Sequence, residues 1–251
     1  MTNNLYGIEI DERASELASF ALTMKAAAKS SSKRRFFKKE TSPNICKLEP
    51  IKFDGDEIKG YMDSIGRDLF TSDLQETLKQ FEEADNFGSL IVPKVQNVES
   101  VLKLLESKDV TKDIFLQETH QRVLRVLKQA DYLSQKYHVV VANPPYMGSK
   151  GYSDKLKKYV EENFKDSKAD MFAVFMERCT EFTNKDRYTA MVTMHSWMFL
   201  SSFEKLRNNM VQNKEIDTLV HLGARAFAEI GGEVVQTVAW NRSEERRVGK
   251  E

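Results

Sequence analysis

Hydrophobic and polar positions alternate with different periods along this chain, and the changes of period mark its elements. Tyr137-His138-Val139-Val140-Val141-Ala142 is an unbroken β-branched run that predicts a fully buried strand. It stops at Asn143-Pro144-Pro145-Tyr146, where two prolines forbid further ladder pairing. Beyond it, Met171 to Phe182 carries Phe172, Phe175, Met176 and Cys179 at helical spacing. Residues 188–194, 216–222 and 234–240 read as strands, and 202–212 as a helix. Strands alternating with helices predict an α/β fold, a largely parallel sheet with helices on both faces. Ile8, Val140, Met191 and Val220 are expected on its neighbouring strands.

The first half begins with the same β-α rhythm. Residues 5–11 read as a short buried strand ending in acids, and Glu12 opens a helical pattern with Leu17, Phe20, Ala21 and Met24 on one face. A buried strand this close to residue 1 needs neighbours on both sides, so the chain reads as truncated at its start. Residues 52–136 turn wholly helical. Ser72 and Gln75 form a capping-box pattern before Leu74, Leu78 and Phe81; Val101, Leu104 and Leu105 mark a second segment. Residues 117–135 form a third, with Val123, Leu124, Leu127 and Ala130 inward. No catalytic constellation stands out in this stretch, and its lone His120 reads as a surface or packing residue. The expected organisation is a first domain part at 3–51, a helical insertion at 52–136, a catalytic part at 137–241 and a tail at 242–251. The tail, Arg242-Ser243-Glu244-Glu245-Arg246-Arg247-Val248-Gly249-Lys250-Glu251, continues no period and reads as non-native.

Composition narrows the class without naming a partner. At 251 residues, 41% hydrophobic and 30% charged, the chain is apolar enough to fold, and its net charge of zero gives no overall pull towards nucleic acid. Charge is nevertheless concentrated at Lys29, Lys33, Arg34, Arg35, Lys38 and Lys39, interrupted by Phe36 and Phe37. That run is either a solvated helix end or a contact with DNA phosphates. Two cysteines, Cys46 and Cys179, make no disulfide framework and fit a reducing compartment. With no membrane span or signal-type apolar core in the sequence, the cytoplasm is the expected location.

Candidate chemistry centres on the tetrapeptide. Each proline fixes its own φ and holds the residue before it extended, so Asn143 and Pro144 are rigid just past a strand, at the edge where open parallel sheets bind ligands. The Asn143 side-chain carbonyl and the Pro144 backbone carbonyl can accept both hydrogens of one exocyclic amine. Such binding favours a pyramidal nitrogen with an available lone pair. Tyr146 can stack on the base that carries the amine. The plainer reading is a strand-ending turn. Glu9, an acid at the end of an early strand, suits a ribose hydroxyl and Ile10 beside it an adenine ring, although an exposed strand-end acid has the same spacing.

These segments together resemble a known family. Asn143 to Tyr146 with Gly7-Ile8-Glu9-Ile10-Asp11 is similar to the gamma-class amino methyltransferases of DNA. Residues 4–14, 21–26, 141–148 and 195–204, with Gly231-Gly232, are similar to the adenine-specific methyltransferases of type 1 BREX phage-defence systems. The resemblance spans roughly residues 3–241. It implies a Rossmann-like methyltransferase sheet, S-adenosyl-L-methionine as cofactor, and methylation of the N6 amine of a flipped adenine in double-stranded DNA. It further implies other BREX proteins as partners, and no metal. Glu9, Ile10 and Asn143 would hold the cofactor; Asn143, Pro144, Pro145 and Tyr146 would be catalytic. Tyr146 and Phe227 would cover the two faces of the base. The family's glycine-rich loop is expected before Glu9 and a target-recognition domain after the catalytic part. The family's acid for the cofactor base follows the next strand, and here residues 44–49 depart from that pattern, offering no matching acid and only Glu49 nearby. Alternatives are a protein-glutamine or RNA-guanine methyltransferase with the same loop, or a non-catalytic fragment.

Overall fold

The computed structural model describes residues 3–39, 41–66, 71–110, 113–213, 215–223 and 236–243, which fall into two units, 1–134 and 135–251. In the first unit β1 (Tyr6–Glu9) pairs in parallel with β2 (Asn44–Lys47), Glu9 opposite Lys47. Parallel strands need a crossover, here α1 (Glu12–Lys29) and α2 (Lys33–Phe37). Asp11 starts α1 by accepting from the Ala14 N–H at 2.8 Å. Five helices follow: α3 (Gly55–Ile65), α4 (Thr71–Phe81), α5 (Ala84–Phe87), α6 (Val98–Glu106) and α7 (Ile114–Ser134).

Leu74, Leu78, Phe81, Leu105, Val123, Leu127 and Ala130 are buried among them, as the helical periods predict. Helix α4 starts at Thr71, ahead of Ser72, and the capping box is found instead at Asp54 and Glu57 of α3. His120 is a packing residue, buried and 2.7 Å from the Tyr61 hydroxyl. The helices thus share a unit with β1 and β2.

Two expectations for this unit are corrected. β1 is not buried: Leu5, Tyr6 and Ile10 are exposed. The stripe Leu17, Phe20 and Met24 of α1 is also exposed, while Ser15 and Ala27 are buried. Helical period reveals that a stripe exists; the ladder decides which side is covered. The depression between α1 and β2 is lined by Ser15, Glu16, Ser19, Phe20 and Thr23 of α1, with Pro43 and Ile45.

The second unit contains β3 (Tyr137–Ala142), α8 (Asp154–Asn163), α9 (Met171–Phe182), β4 (Thr183–Met194), α10 (Glu204–Asn213), β5 (Glu215–Gly223) and β6 (Thr237–Ser243). Its sheet runs β3-β4-β6-β5. β3 and β4 are parallel, and β6 lies antiparallel between β4 and β5. The expected single, largely parallel sheet is therefore corrected on two points. Ile8 belongs to a separate two-stranded sheet, and Val220 meets Ala239 of β6 rather than Met191, whose partners are Ala142 of β3 and Trp240 of β6. Strands adjacent in sequence and in space can return directly, which makes them antiparallel.

One face of this sheet packs Met191, Val238 and Trp240 against Phe172, Met176 and Cys179 of α9 and Leu206 and Met210 of α10, with Phe203. The opposite face carries Val139, 59% exposed, and Val141, 76% exposed, so β3 is not fully buried, and among the described residues of this unit α9 and α10 cover one face. An apolar run looks alike whether one face or two are covered. β6 also takes up Arg242 and Ser243, the first two residues of the presumed tail, because ladder pairing uses backbone groups that every non-proline residue carries. Among the described residues, no helix is long and apolar enough to cross a membrane.

Candidate active site

β3, β4 and β5 point the same way, so Asn143, His195 and Gly223 leave the sheet at one carboxyl edge. Asn143 is exposed, and no described residue occupies its side chain or the Pro144 carbonyl. Pro144 is buried, which fixes the turn, and Pro145 is exposed. Tyr146 is half-buried against the core of this unit. Its ring meets Phe172 edge to face at 6.3 Å, and its hydroxyl donates to the Val192 carbonyl at 3.4 Å. Burial pushes the Tyr146 phenol above its ordinary pKa. On the open face of the sheet, a groove of about 430 Å³ runs from Val141, Ala142 and Asn143 past Val192 and Val220 to Ala239 and Asn241.

The chain after the tetrapeptide is tied to the start of α9. Asp170 caps that helix, its carboxylate accepting from Phe172 N–H at 3.3 Å and from Met147 N–H at 3.2 Å. The Met171 N–H donates to the Met147 carbonyl at 2.9 Å, and Ser149 N–H to the Ala169 carbonyl at 3.0 Å. Burial raises the Asp170 carboxyl pKa, while the N–H groups it accepts from oppose the rise. Sequence reasoning passed over this residue, although an Asp directly before an amphipathic helix is a cap signal.

Asp170→Ala is expected to destabilise the chain by about 1–3 kcal/mol, through loss of the cap and a stranded Met147 N–H. Asp170→Asn keeps an acceptor oxygen and should recover most of the loss. Urea denaturation followed by tryptophan fluorescence measures both, since Trp197 and Trp240 lie in this unit's core. Equal stability of the Ala variant and the parent would show that Asp170 does not hold the loop.

The same edge carries a histidine pair that sequence reasoning did not single out. Gly223 N–H donates to His221 Nδ1 at 3.3 Å, and His221 Nε2 shares a hydrogen bond of 3.0 Å with His195 Nδ1. Phe199 packs edge-on against His195 at 5.5 Å.

In the first unit, one carboxylate oxygen of Glu9 accepts from the N–H groups of Ile10, at 2.8 Å, and Asp11, at 3.1 Å. Its other oxygen has no partner among the described residues. Ile10 is 50% exposed and leans over Gly88, whose φ of +52° and missing Cβ make room for it. Glu49 faces Arg125 at 3.5 Å, and its N–H donates to the Gln129 side chain. Burial pushes the Cys46 thiol up to about 12. Phe227, Gly231 and Gly232 lie outside the described residues, as do 244–251.

The described fold is α/β, with a strand that ends in a rigid Asn-Pro-Pro-Tyr turn whose acceptor oxygens have no partner among the described residues. The chain belongs to the Eco57I restriction-modification methylase family, whose model matches residues 3–227. It is 38% identical over 96% of its length to the adenine-specific methyltransferase BrxX of Escherichia coli O9:H4 (strain HS). It is 37% identical over 94% of its length to the adenine-specific methyltransferase PglX of Lacticaseibacillus casei (strain Zhang). These matches cover 22% and 20% of the two relatives, so the chain spans about a fifth of their length. A solved class I S-adenosylmethionine-dependent methyltransferase structure from Listeria monocytogenes overlaps 55% of this chain and 44% of its own. The TM-score is 0.36 and the identity 16%, too low for that overlap to bear on the site.

Proposed function

We propose that this chain supplies catalytic residues of a site-specific DNA methyltransferase that transfers a methyl group from S-adenosyl-L-methionine to the N6 amine of a flipped adenine. The observation that carries the reading is the pair of unoccupied acceptors, the Asn143 side-chain oxygen and the Pro144 carbonyl, on a turn that two prolines hold rigid. Together they accept both amine hydrogens, directing the nitrogen lone pair outwards and stabilising the positive charge that develops on it. Tyr146 backs the base, its ring steadied by Phe172 and the Val192 carbonyl. We assign Phe227 to the other base face on resemblance.

Glu9 and Ile10 fit the cofactor in chemistry: a carboxylate oxygen free for a ribose hydroxyl lies beside an exposed apolar side chain suited to adenine. We assign Asn143 to the cofactor on resemblance alone. The cofactor supplies an already activated methyl group, so the protein's residues contribute alignment and charge stabilisation. A cytoplasmic location and phage-defence partner proteins accompany this reading.

Incubation of the full-length protein with labelled S-adenosylmethionine and unmodified duplex DNA, followed by nucleoside analysis, is expected to yield N6-methyladenine. Label in RNA guanine or protein glutamine instead, or in no acceptor, would overturn the assignment. Tyr146→Ala is expected to lose about 1–3 kcal/mol of base stacking, raising KM for DNA up to about 100-fold with a smaller change in kcat. Tyr146→Phe keeps the ring and should stay within a few-fold of the parent. If the two variants are equally impaired, the hydroxyl matters and the stacking role is wrong.

A further inference from the structure

Residues 25–39 hold seven cations, Lys25, Lys29, Lys33, Arg34, Arg35, Lys38 and Lys39, and no acid. Basic and acidic residues number 38 each over the whole chain, so the surplus here is matched by an acidic surplus elsewhere. A net charge of zero therefore hides strong segregation.

All seven cations are exposed, and none pairs with an acid among the described residues. Lysines elsewhere in the same unit do pair, Lys47 with Glu12 at 2.9 Å and Lys103 with Glu99 at 2.5 Å. The segment is folded: Ser32 caps α2 through the Arg35 N–H, and α2 packs against the end of α1. Like charges held this close repel one another, and a bound polyanion relieves that repulsion.

Its place in the unit says what kind of anion fits. As the crossover between two parallel strands, α1 runs back from the carboxyl edge, where Glu9 lies, towards the opposite edge. Eighteen residues at 1.5 Å each separate the patch from that edge by about 27 Å. The anion at the patch is therefore not a cofactor held at Glu9. A run of exposed cations suits many anionic groups at close spacing, which duplex DNA offers with a charge about every 1.7 Å of axis and a single small anion does not.

We propose that Lys29, Lys33, Arg34, Arg35, Lys38 and Lys39 grip the phosphate backbone of duplex DNA, independently of sequence. This rests on the DNA reading above. The test is fluorescence anisotropy of the full-length protein on a 30-base-pair duplex at 50–200 mM salt. It compares the parent with K33Q/R34Q/R35Q, with K38Q/K39Q and with the combined five-fold variant, each checked for folding by circular dichroism.

In the combined variant, the slope of log affinity against log salt should become shallower by roughly three to five units, about 0.9 per lost phosphate contact. The partial variants should divide that change between them, affinity should fall alike for all duplex sequences, and kcat at saturating DNA should be unchanged. An unchanged slope in a variant that still methylates adenine would sink the patch and leave the enzyme reading standing. Absence of adenine methylation in the unaltered protein would sink the parent reading and this one with it. Loss of binding to phosphatidylserine vesicles with duplex binding intact would assign the patch to membranes and overturn the proposal.

Discussion

Asn143→Ala in the full-length protein should lower kcat for adenine methylation by about 100- to 1,000-fold while leaving folding and most DNA affinity in place, the cost typical of losing one preorganised polar group at a developing charge. The Asn143 side chain is exposed and has no partner among the described residues, so removing it strands no buried group and should barely affect stability. DNA affinity comes mainly from phosphate contacts, to which Asn143 contributes none in this reading. Modification-sensitive sequencing of genomic DNA from cells with the intact system or the variant gives the answer. Normal adenine methylation in the variant strain, with no second methyltransferase present, would remove the central claim. Asn143→Asp is informative too, because it keeps an oxygen in place and adds a charge beside a nitrogen that becomes positive. It should retain more activity than the Ala variant.

The largest expected loss of stability comes from Phe172→Ala. Phe172 is fully buried at the start of α9, with Tyr146 at 6.3 Å and Phe203 at 5.6 Å, and its N–H is capped by Asp170. Truncating a fully buried Phe costs about 3–5 kcal/mol, from lost transfer free energy and the cavity left behind. A typical domain has only about 5–15 kcal/mol in total, so much of the second unit's stability should go. The same change removes the support behind the Tyr146 ring, so residual folded protein should bind DNA with a raised KM. Phe172→Leu fills most of the space and should lose less on both counts. Phe115→Ala, at a position 85% exposed, is the control and should be within about 0.5 kcal/mol of the parent. Urea denaturation read by tryptophan fluorescence compares all three. A Phe172→Ala midpoint equal to that of Phe115→Ala would mean that the core packing is not as described.

Local signals were legible wherever the chain's own covalent geometry and period carry them. The strand Tyr137–Ala142 and the helix Met171–Phe182 end where the sequence reading placed them, because proline stops a ladder at once and the apolar spacing of Phe172, Phe175, Met176 and Cys179 marks the helix. Asn143 to Tyr146 stood out for the same reason, since the rigidity of an Asn-Pro-Pro turn is built into the residues themselves. The long-range ties of the site were not legible. Asp170 holds Met147 across 23 residues, and only folding brings that acceptor to that N–H.

Other decisions also belonged to the tertiary structure. Period 2 in β3 assigns Val139 and Val141 to one face and Val140 and Ala142 to the other, but which face meets α9 depends on partners elsewhere in the chain. The same holds for α1, whose apolar stripe is legible and yet faces outwards, and for β6, whose antiparallel place between β4 and β5 follows from how the chain returns. By itself the sequence determined where the strand Tyr137–Ala142, the helix Met171–Phe182 and the rigid turn after Ala142 lie, because those choices are made by neighbouring residues. Helix α8, in contrast, carries no apolar stripe strong enough to have been read. Which strands pair, which faces are covered and what anchors the catalytic turn were decided by the tertiary structure, because contacts between distant residues form only when the chain closes on itself.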